Sequence, residues 1–281
     1  MEHLAVLQFS LAVFAGSVAA GLLGALTGLG GGIVVIPMLT LLFGVDLRYA
    51  AGAALISVIA TSSGAASSYV KEGYSNLRVG MFLEVATTAG AVIGALVTSL
   101  LPKSTIAVIF GVVLLLSAAL SFRPHTEPDP NEPPDPLAVR LRLDSDYPTP
   151  HGRVAYHVYG VPAAFAMMFL AGGLSGLLGI GSGAVKVLAL DWAMRLPFKV
   201  STTTSNFMIG VTGAASAGIY MNRGYIDPGL SMPVMLGVLA GALLGARLLV
   251  RVQSQALRIV FAVAIAALGV QMVYSGMRGL P

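Results

Sequence analysis

The sequence contains no cysteine and very little charge for its length. Because none of the 281 residues is cysteine, disulfide bonds, thiol redox chemistry and cysteine-ligated metals are excluded. Charged residues make up 10% of the chain, whereas soluble domains carry about 25%. Hydrophobic residues make up 56%, and apolar runs of about 20 residues, the length that crosses a bilayer, recur along the chain. This composition indicates an integral membrane protein embedded in a lipid bilayer.

The apolar segments also contain no histidine that could serve as a catalytic base or a metal ligand. A serine nucleophile at Ser182 requires a base within hydrogen-bond reach, and only Lys186 is close in sequence. The net charge of +4 comes from basic residues in short loops, a pattern typical of membrane topology and not of nucleic-acid binding. We therefore expect no enzyme activity, no metal, no cofactor and no nucleic-acid partner. All four histidines lie outside the apolar segments: His3, His125, His151 and His157.

The chain repeats itself at a fixed distance. Residues 28–32 (GLGGG) correspond to residues 179–183 (GIGSG), so that Gly28 matches Gly179, 151 positions later. The same offset relates residues 89–95 (AGAVIGA) to residues 240–246 (AGALLGA). Two hydrophobic halves, each interrupted by a glycine cluster at the same place, are typical of transporters whose site lies where the two breaks meet.

The apolar segments divide the chain into three regions. We assign residues 5–122 to a first transmembrane repeat and residues 161–278 to a second. The proline-rich region 123–160 between them holds six of the twelve acidic residues, and we expect a solvent-exposed linker that is extended up to about Pro136. Alternating residues in 139–144 and 154–158 suggest a β-hairpin. The segments are 5–27, 33–44, 49–70, 79–101 and 104–122, then 161–178, 184–194, 200–220, 229–250 and 255–277.

The segment after each glycine cluster decides the topology. Residues 184–194 give only about 16 Å of helix against a core of about 30 Å, so they do not span alone. If the cluster turns the chain back, four lysines and arginines lie on one face and eleven on the other; if it kinks one long helix, the split is eight to seven. Cations collect on the cytoplasmic side. We therefore expect an all-α polytopic protein of two inverted repeats, a parallel repeat being the alternative.

Each inverted repeat then contains a glycine-broken re-entrant helical hairpin and three transmembrane helices. The chain is expected to cross the cell (inner) membrane many times. The linker should lie on the cytoplasmic side and both termini on the external side. Backbone that leaves a helix at membrane depth exposes N–H groups, and the following helix adds the positive end of its dipole. The two clusters are therefore candidate anion-binding sites that meet near the midplane. Their residues are Gly30, Gly31 and Gly32 in the first repeat, and Gly181, Ser182 and Gly183 in the second.

Glycine has a competing explanation, because small residues also let membrane helices pack closely. We give that interpretation to the glycines outside the two clusters. They are Gly90, Gly94, Gly237, Gly241 and Gly245.

Four polar side chains stand out within the apolar segments. Lys186 follows the second cluster by three residues, and an ionisable residue at such a position is by default a functional hypothesis. It is a candidate for binding an anion, with snorkelling or pairing with Glu84 as the alternatives. Glu84 is a candidate for coupling or gating, or else an interfacial acid paired with a loop cation such as Arg78. From the polar run 201–206, Thr203 and Asn206 are candidates for lining the site.

Several stretches resemble the sulfite exporter TauE/SafE family, also called the four-toluene-sulfonate uptake permeases. They are the two glycine breaks and residues 83–91 (LEVATTAGA), 179–187 (GIGSGAVKV) and 196–200 (LPFKV). The resemblance covers residues 8–122 and 160–278. It implies export of small sulfur-containing anions such as sulfite, sulfoacetate or other organosulfonates. A passive small-anion channel is the alternative function, and a second copy of the chain, as a homodimer, is a candidate partner.

Overall fold

The computed structural model describes residues 2–27, 31–121, 135–149, 152–181, 183–249 and 255–279. The helices of the first half are α1 (Glu2–Thr27), α2 (Gly32–Pro37), the π-helix π1 (Met38–Leu42), α3 (Leu47–Glu72), α4 (Leu77–Val97) and α5 (Lys103–Ser121). The linker contributes α6 (Pro136–Arg140), β1 (Ser145–Thr149) and β2 (Gly152–Tyr156). The second half contains α7 (Val161–Leu178), α8 (Gly183–Leu188), π2 (Ala189–Ala193), α9 (Phe198–Asn222), α10 (Pro228–Leu249) and α11 (Gln255–Met277).

The elements of the two halves follow each other in the same order and at the same offset. By length and hydropathy, four of the described helices are long and apolar enough to cross a membrane: Leu7–Gly24, Leu77–Val97, Val161–Leu178 and Pro228–Gly245. The chain is therefore an all-α, multi-pass membrane protein, as predicted. The starts of equivalent helices differ by 151 positions: Gly32 and Gly183 for α2 and α8, Leu47 and Phe198 for α3 and α9, Leu77 and Pro228 for α4 and α10.

Each short helix after a break continues into a π-helix. Pro37 ends α2, and its missing N–H gives a local reason for the wider turn of π1. Leu188 occupies the equivalent position in α8, yet π2 follows it in the same way. Proline is therefore not the common cause of the two π-helices, which belong to the architecture of both halves.

Helix α1 packs on α10 as α7 packs on α4, while α3 packs on α9 and α5 on α11. Each of these helix pairs joins one helix of the first half to one helix of the second. Glycine makes the closest contacts possible: a methyl group at Gly176 would lie 1.9 Å from Ala91 O, and one at Gly241 would lie 2.0 Å from Val18 O. The packing interpretation is thereby confirmed for Gly90, Gly94, Gly237 and Gly241.

Helices α3 and α9 run antiparallel through the middle of the molecule. Arg48, at the start of α3, contacts Tyr225 just after α9. Lys199, at the start of α9, contacts Tyr74 just after α3. Midway, Ser62 Oγ bonds to the backbone of α9. These equivalent helices therefore point in opposite directions.

In each half, residues before the broken segment contact residues after it. The rings of Phe9 and Phe43, near the start of α1 and just after π1, are 5.7 Å apart. In the second half Tyr159 N, just before α7, donates to Met194 O, just after π2, at 3.2 Å. The residues on either side of each broken segment therefore lie at the same end of the molecule.

Two ends of the molecule can now be defined. The termini end carries the start of α1, residues 43–46, 98–102 and 223–227, and the end of α11, where Gly276 packs against Ser104. The linker end carries residues 73–76, the described linker 135–160 and residues 194–197.

The linker hairpin exists, but not where its first strand was predicted. β1 and β2 pair antiparallel with Ser145 opposite Tyr156. The alternating residues 139–143 lie instead in α6 and the turn after it, because Asp135 Oδ1 accepts from Leu137 N and Pro136 occupies the first turn. Residues 122–134, predicted to be extended, lie outside the described residues.

Half of the described linker residues are exposed to solvent, yet a few side chains tie this region to the helices. Asn76, which caps α4, donates from Nδ2 to Leu143 O at 2.8 Å and to Tyr156 Oη at 2.9 Å. Burial raises the pKa of Tyr156 to about 12. Four linker side chains with little exposed surface hold this region against the helices: Ala138, Leu143, Tyr156 and Val158.

Candidate substrate site

The first break lies at the centre of the molecule and touches the second. Gly31 directly precedes α2, and its carbonyl accepts from Val34 N and Val35 N, both at 3.1 Å. A methyl group at Gly31 would lie 2.5 Å from Val238 Cγ1 in α10. A methyl group at Gly32 would lie 3.5 Å from Ile180 O, which belongs to the second break. The two glycine clusters therefore share one location. Gly30 lies outside the described residues.

The second break uses the conformational freedom of glycine. Gly179 and Gly181 have φ of +73° and +70°, the left-handed region that other residues rarely adopt. A methyl group at Gly181 would in addition lie 2.6 Å from Ile209 Cγ2. Helix α8 then begins at Gly183, which is buried. Ser182 lies outside the described residues.

Lys186 and Glu84 are joined through a third side chain at this centre. Lys186 is 0% exposed, and its Nζ donates to Thr212 Oγ1. Thr212 Oγ1 in turn donates to Glu84 Oε1 at 2.5 Å. Thr88 Oγ1 also donates to Glu84 Oε1, at 3.3 Å. The arrangement brings a cation from α8 and a carboxylate from α4 to one hydroxyl group on α9.

The alternatives considered for these charges can now be resolved. Lys186 does not snorkel, since its side chain has no exposed surface. It is linked to Glu84, but indirectly, through Thr212. Glu84 is not an interfacial acid held by Arg78, because Arg78 Nη1 donates to Arg142 O instead. The second carboxylate oxygen, Glu84 Oε2, is buried and has no hydrogen-bond partner within the described part of the chain.

One face of α9 presents hydroxyl groups to this centre. Ser205 Oγ donates to Gly183 O at 3.2 Å and so ties α9 to the start of α8. Thr212 lies about two turns further along the same face. The fully buried hydroxyls at helical spacing on this face are Ser201, Ser205, Thr212 and Ser216.

Sequence reasoning missed Thr212. Two sequence features were compatible with such a role but did not single it out: hydroxyl residues recur at helical spacing along α9, and Thr61 stands 151 positions earlier in α3. The run 201–206 drew attention instead, because it is the most polar stretch of the helix.

The two residues chosen from that run contact α3 and the loop that follows it. Thr203 Oγ1 contacts Tyr74 O at 3.0 Å and Lys199 O at 2.9 Å, at the linker end. Asn206 O accepts from Ser62 Oγ, which also accepts from Gly210 N at 3.0 Å. Ser62 is thereby inserted into the backbone ladder of α9.

The described clusters, Lys186 and Glu84 thus come together at the centre, whereas Thr203 lies towards one end. Within the described residues, no group of three or more His, Asp or Glu side chains is arranged to hold a metal ion. A helical membrane protein with two equivalent halves, two chain breaks that touch at its centre and a buried cation beside them has the architecture of a secondary transporter.

Comparison with known proteins agrees with this class. The family described as "Sulfite exporter TauE/SafE" matches residues 13–272, and the chain belongs to that family. Over 278 residues it is 27% identical to the "Probable membrane transporter protein YunE" of Bacillus subtilis (strain 168), covering 96% of this chain and 99% of the relative. The resemblance predicted from the glycine breaks is therefore confirmed.

Other relatives carry the same description. Over 222 residues the chain is 28% identical to the "Probable membrane transporter protein YdhB" of the same organism, with 78% and 82% of the two chains covered. A "Probable membrane transporter protein" of Xylella fastidiosa (strain 9a5c) is 25% identical over 251 residues, 86% of each chain. No solved structure matches significantly. The family and these relatives are membrane transporters, not enzymes.

Proposed function

We propose that this transporter exports small sulfur-containing anions, such as sulfite, sulfoacetate or other organosulfonates, across the cell inner membrane. The sulfur chemistry is supported by the description of the family that matches the chain. The anionic character is supported independently by the site, where a fully buried lysine lies beside two glycine breaks.

The burial of Lys186 is the observation that carries the proposal. A buried ammonium group is unfavourable unless it is paired, and within the described residues Lys186 reaches the carboxylate of Glu84 only through the hydroxyl group of Thr212. The charge therefore remains available to an anion, with backbone N–H groups from Gly30–Gly32 and Gly181–Gly183 as further donors. Glu84 is the candidate for coupling or gating, since anion binding would change its link to Lys186. Thr203 and Asn206 would line the path towards the linker end.

The proposed topology follows from the same geometry. We infer that the repeats 5–122 and 161–278 are inverted in the membrane, each with a re-entrant hairpin, and that the linker 123–160 is cytoplasmic. Antiparallel α3 and α9, and breaks that return the chain to the same end, support this arrangement. The excess of cations at the linker end supports the cytoplasmic side for it.

Flux measurements on purified protein in proteoliposomes test the function. Sulfite, sulfoacetate, taurine, thiosulfate and sulfate would be compared as substrates of the wild type. We expect saturable flux of at least one of the sulfur anions, and acceleration of that flux by the same anion on the opposite side. Flux that is neither saturable nor accelerated would indicate the passive channel, and no flux of any anion would contradict the proposal.

The charge of Lys186 is tested in the same assay. Lys186→Met keeps the apolar stem and removes the cation, so anion affinity should fall about tenfold to a hundredfold, the value of one charge-assisted hydrogen bond. Lys186→Arg should retain part of the affinity. Lys103→Met is the matched control, because Lys103 pairs with Asp46 at the termini end. Equal affinity in Lys186→Met and the wild type would contradict the proposed site.

A further inference from the structure

Two contacts between a cation and a tyrosine occupy equivalent positions at opposite ends of the molecule. At the termini end, Arg48 Cζ lies 5.6 Å from the centre of the Tyr225 ring, and Arg48 Nη1 donates to Tyr225 Oη at 3.5 Å. At the linker end, Lys199 Nζ lies 4.4 Å from the centre of the Tyr74 ring and donates to Tyr74 Oη at 3.4 Å. Arg48 and Lys199 are 151 positions apart in the sequence, and so are Tyr74 and Tyr225.

Each contact joins one half of the molecule to the other. The cation stands in the first turns of α3 or α9, and the tyrosine follows the opposite helix of this central pair. The backbone repeats the relation: a methyl group at Gly52 would lie 2.1 Å from Tyr225 O, and Thr203, its equivalent, donates from Oγ1 to Tyr74 O at 3.0 Å. The two contacts are therefore one structural device, present once at each end.

The chemistry of the device suits an anion. The aromatic partner of each cation is neutral, and such a contact is worth only about 0.5–2 kcal/mol, so a passing anion can displace it. The neighbouring carboxylate of Asp46 is engaged by Lys103 and by the backbone N–H of Arg48. Arg48 Nη2 also donates to Leu101 O at 3.2 Å. These partners of the two cations are uncharged, so an anion can compete with them.

Each cation also lies on a helix that leads to the central site. Arg48 lines a small cavity together with Thr98, Tyr220 and Leu178, the residue directly before the second break. From the linker end, Lys199, Thr203 and Asn206 follow one another at helical spacing along α9 towards the middle of the helix. The two cations therefore stand at opposite ends of the central helix pair, whose middle contacts the breaks through Val58 and Ile209.

We propose that the two cation–tyrosine pairs are the gates at the two mouths of the transport path. The Arg48–Tyr225 pair closes the termini end and the Lys199–Tyr74 pair closes the linker end. Each gate opens when its cation exchanges the tyrosine for the passing anion. Both pairs are formed in this structure, which therefore represents a state closed at both ends. The inference rests on the proposed transport of anions.

A single cysteine at the centre reports on each gate. Val58 is fully buried and its Cγ1 lies 2.8 Å from the position of a methyl group at Gly32, so Val58→Cys places a thiol where the breaks meet. A membrane-impermeant methanethiosulfonate reagent would be added to vesicles of either orientation. Arg48→Gln should raise the labelling rate threefold to thirtyfold from the termini side alone. Lys199→Gln should raise it by the same factor from the linker side alone. This range is expected for losing a contact of about 0.5–2 kcal/mol.

Matched controls separate gating from general loosening. Arg278→Gln removes a cation 4.3 Å from the Tyr274 ring, within the last turns of the chain and not between the halves, and should leave labelling unchanged. Arg48→Lys and Lys199→Arg should label at nearly the wild-type rate. An equal rise from both sides, or no rise in either glutamine variant, would overturn the gates.

The labelling test does not depend on substrate identity. One-sided labelling in a protein that transports none of the tested anions would reject the proposed function but would still support the two gates. Saturable sulfite flux with side-independent labelling would reject the gates alone. Melting temperatures of the glutamine variants within a few degrees of wild type would show that they remain folded.

Discussion

Thr212 shows how one side chain makes a costly pair of buried charges tolerable. An ammonium group and a carboxylate lose their hydration when they are buried, and this loss is compensated only by good hydrogen bonds. Thr212 accepts from Lys186 and donates to Glu84, so a single hydroxyl serves both charges. The residue therefore sets the position of the cation on which the proposed site depends.

Replacement of this hydroxyl provides the first prediction. Thr212→Val changes the shape of the side chain very little but leaves Lys186 and Glu84 without their shared partner. The free energy of unfolding should fall by roughly 1.5–3 kcal/mol, the contribution of a hydrogen bond to a charged group. Thermal unfolding of the purified protein measures the change. Thr212→Ser keeps the hydroxyl and should recover most of the stability; an equally stable valine variant would show that Thr212 does not support the charges.

The residue scale also shows what the sequence could reveal. Lys186 was identifiable because it is a lone cation in an apolar segment. Thr212 was not, because a hydroxyl in a membrane helix is normally satisfied by its own backbone, and Thr212 Oγ1 does lie 2.9 Å from Met208 O. Only the packing of α4 and α8 against α9 distinguishes Thr212 from the other hydroxyls of that helix.

At the scale of elements, the close packing of α4 on α7 depends on particular glycines. In Gly176→Ala the new methyl group would lie 1.9 Å from Ala91 O, and a backbone atom cannot move without its helix. Stability should fall by about 1–3 kcal/mol, as for overpacked cores. Gly173→Ala is the control on the same helix, because its methyl group would meet only Gly90 O, at 3.8 Å. Equal melting temperatures for the two variants would contradict the packing described here.

The loop before α3 gives a prediction for pH. Partial burial alone would raise the pKa of Asp46, but hydrogen bonds from Lys103 Nζ and the Arg48 backbone N–H prevail and lower it. A lowered folded-state pKa stabilises the protein above the unfolded value of about 4, and this stabilisation is lost as pH falls through the folded-state pKa. Because the pair is partly exposed, it contributes at most about 1 kcal/mol.

The corresponding measurement compares Asp46→Asn with the wild type. The wild type should melt at a higher temperature at pH 6, and the difference should shrink as the pH is lowered below about 4. A difference that stays constant down to pH 3 would mean that the carboxylate of Asp46 is not responsible for it.

The elements differ in how well they could be predicted. Long apolar segments gave helices in both halves because hydropathy and length are local properties of the chain. The linker was harder: alternation in residues 139–143 suggested a strand, but the Asp135 cap and Pro136 start a helix there. Its attachment to the helices depends on Asn76, more than 60 positions earlier in the chain, which no local pattern shows.

At the scale of the whole molecule, the repeat was readable but the packing was not. An offset of 151 positions predicted that the two halves are equivalent. The packing of helices from one half on helices from the other, with α1 on α10 and α7 on α4, is a property of tertiary structure. The cation–tyrosine pairs at the two ends became visible only when both the repeat and the antiparallel packing of α3 and α9 were known.

The topology is testable because the chain is free of cysteine. Ser145→Cys reports on the linker end and Met277→Cys, at a residue that is 78% exposed, reports on the termini end. In intact cells an impermeant thiol reagent should label Met277→Cys, and should label Ser145→Cys only after the membrane is opened. Labelling of both residues from the outside would exclude the inverted arrangement.

The most direct test of the account is whether the two breaks form one anion site. Sulfite and sulfoacetate binding to purified protein would be measured for Gly32→Ala in the first repeat and Lys186→Met in the second. A methyl group at Gly32 would lie 2.8 Å from Val58 Cγ1 and 3.5 Å from Ile180 O, at the contact between the breaks. The account predicts that both variants remain folded and that each binds the anion at least tenfold more weakly. Normal binding by folded Gly32→Ala, together with loss of binding in Lys186→Met, would contradict a shared site.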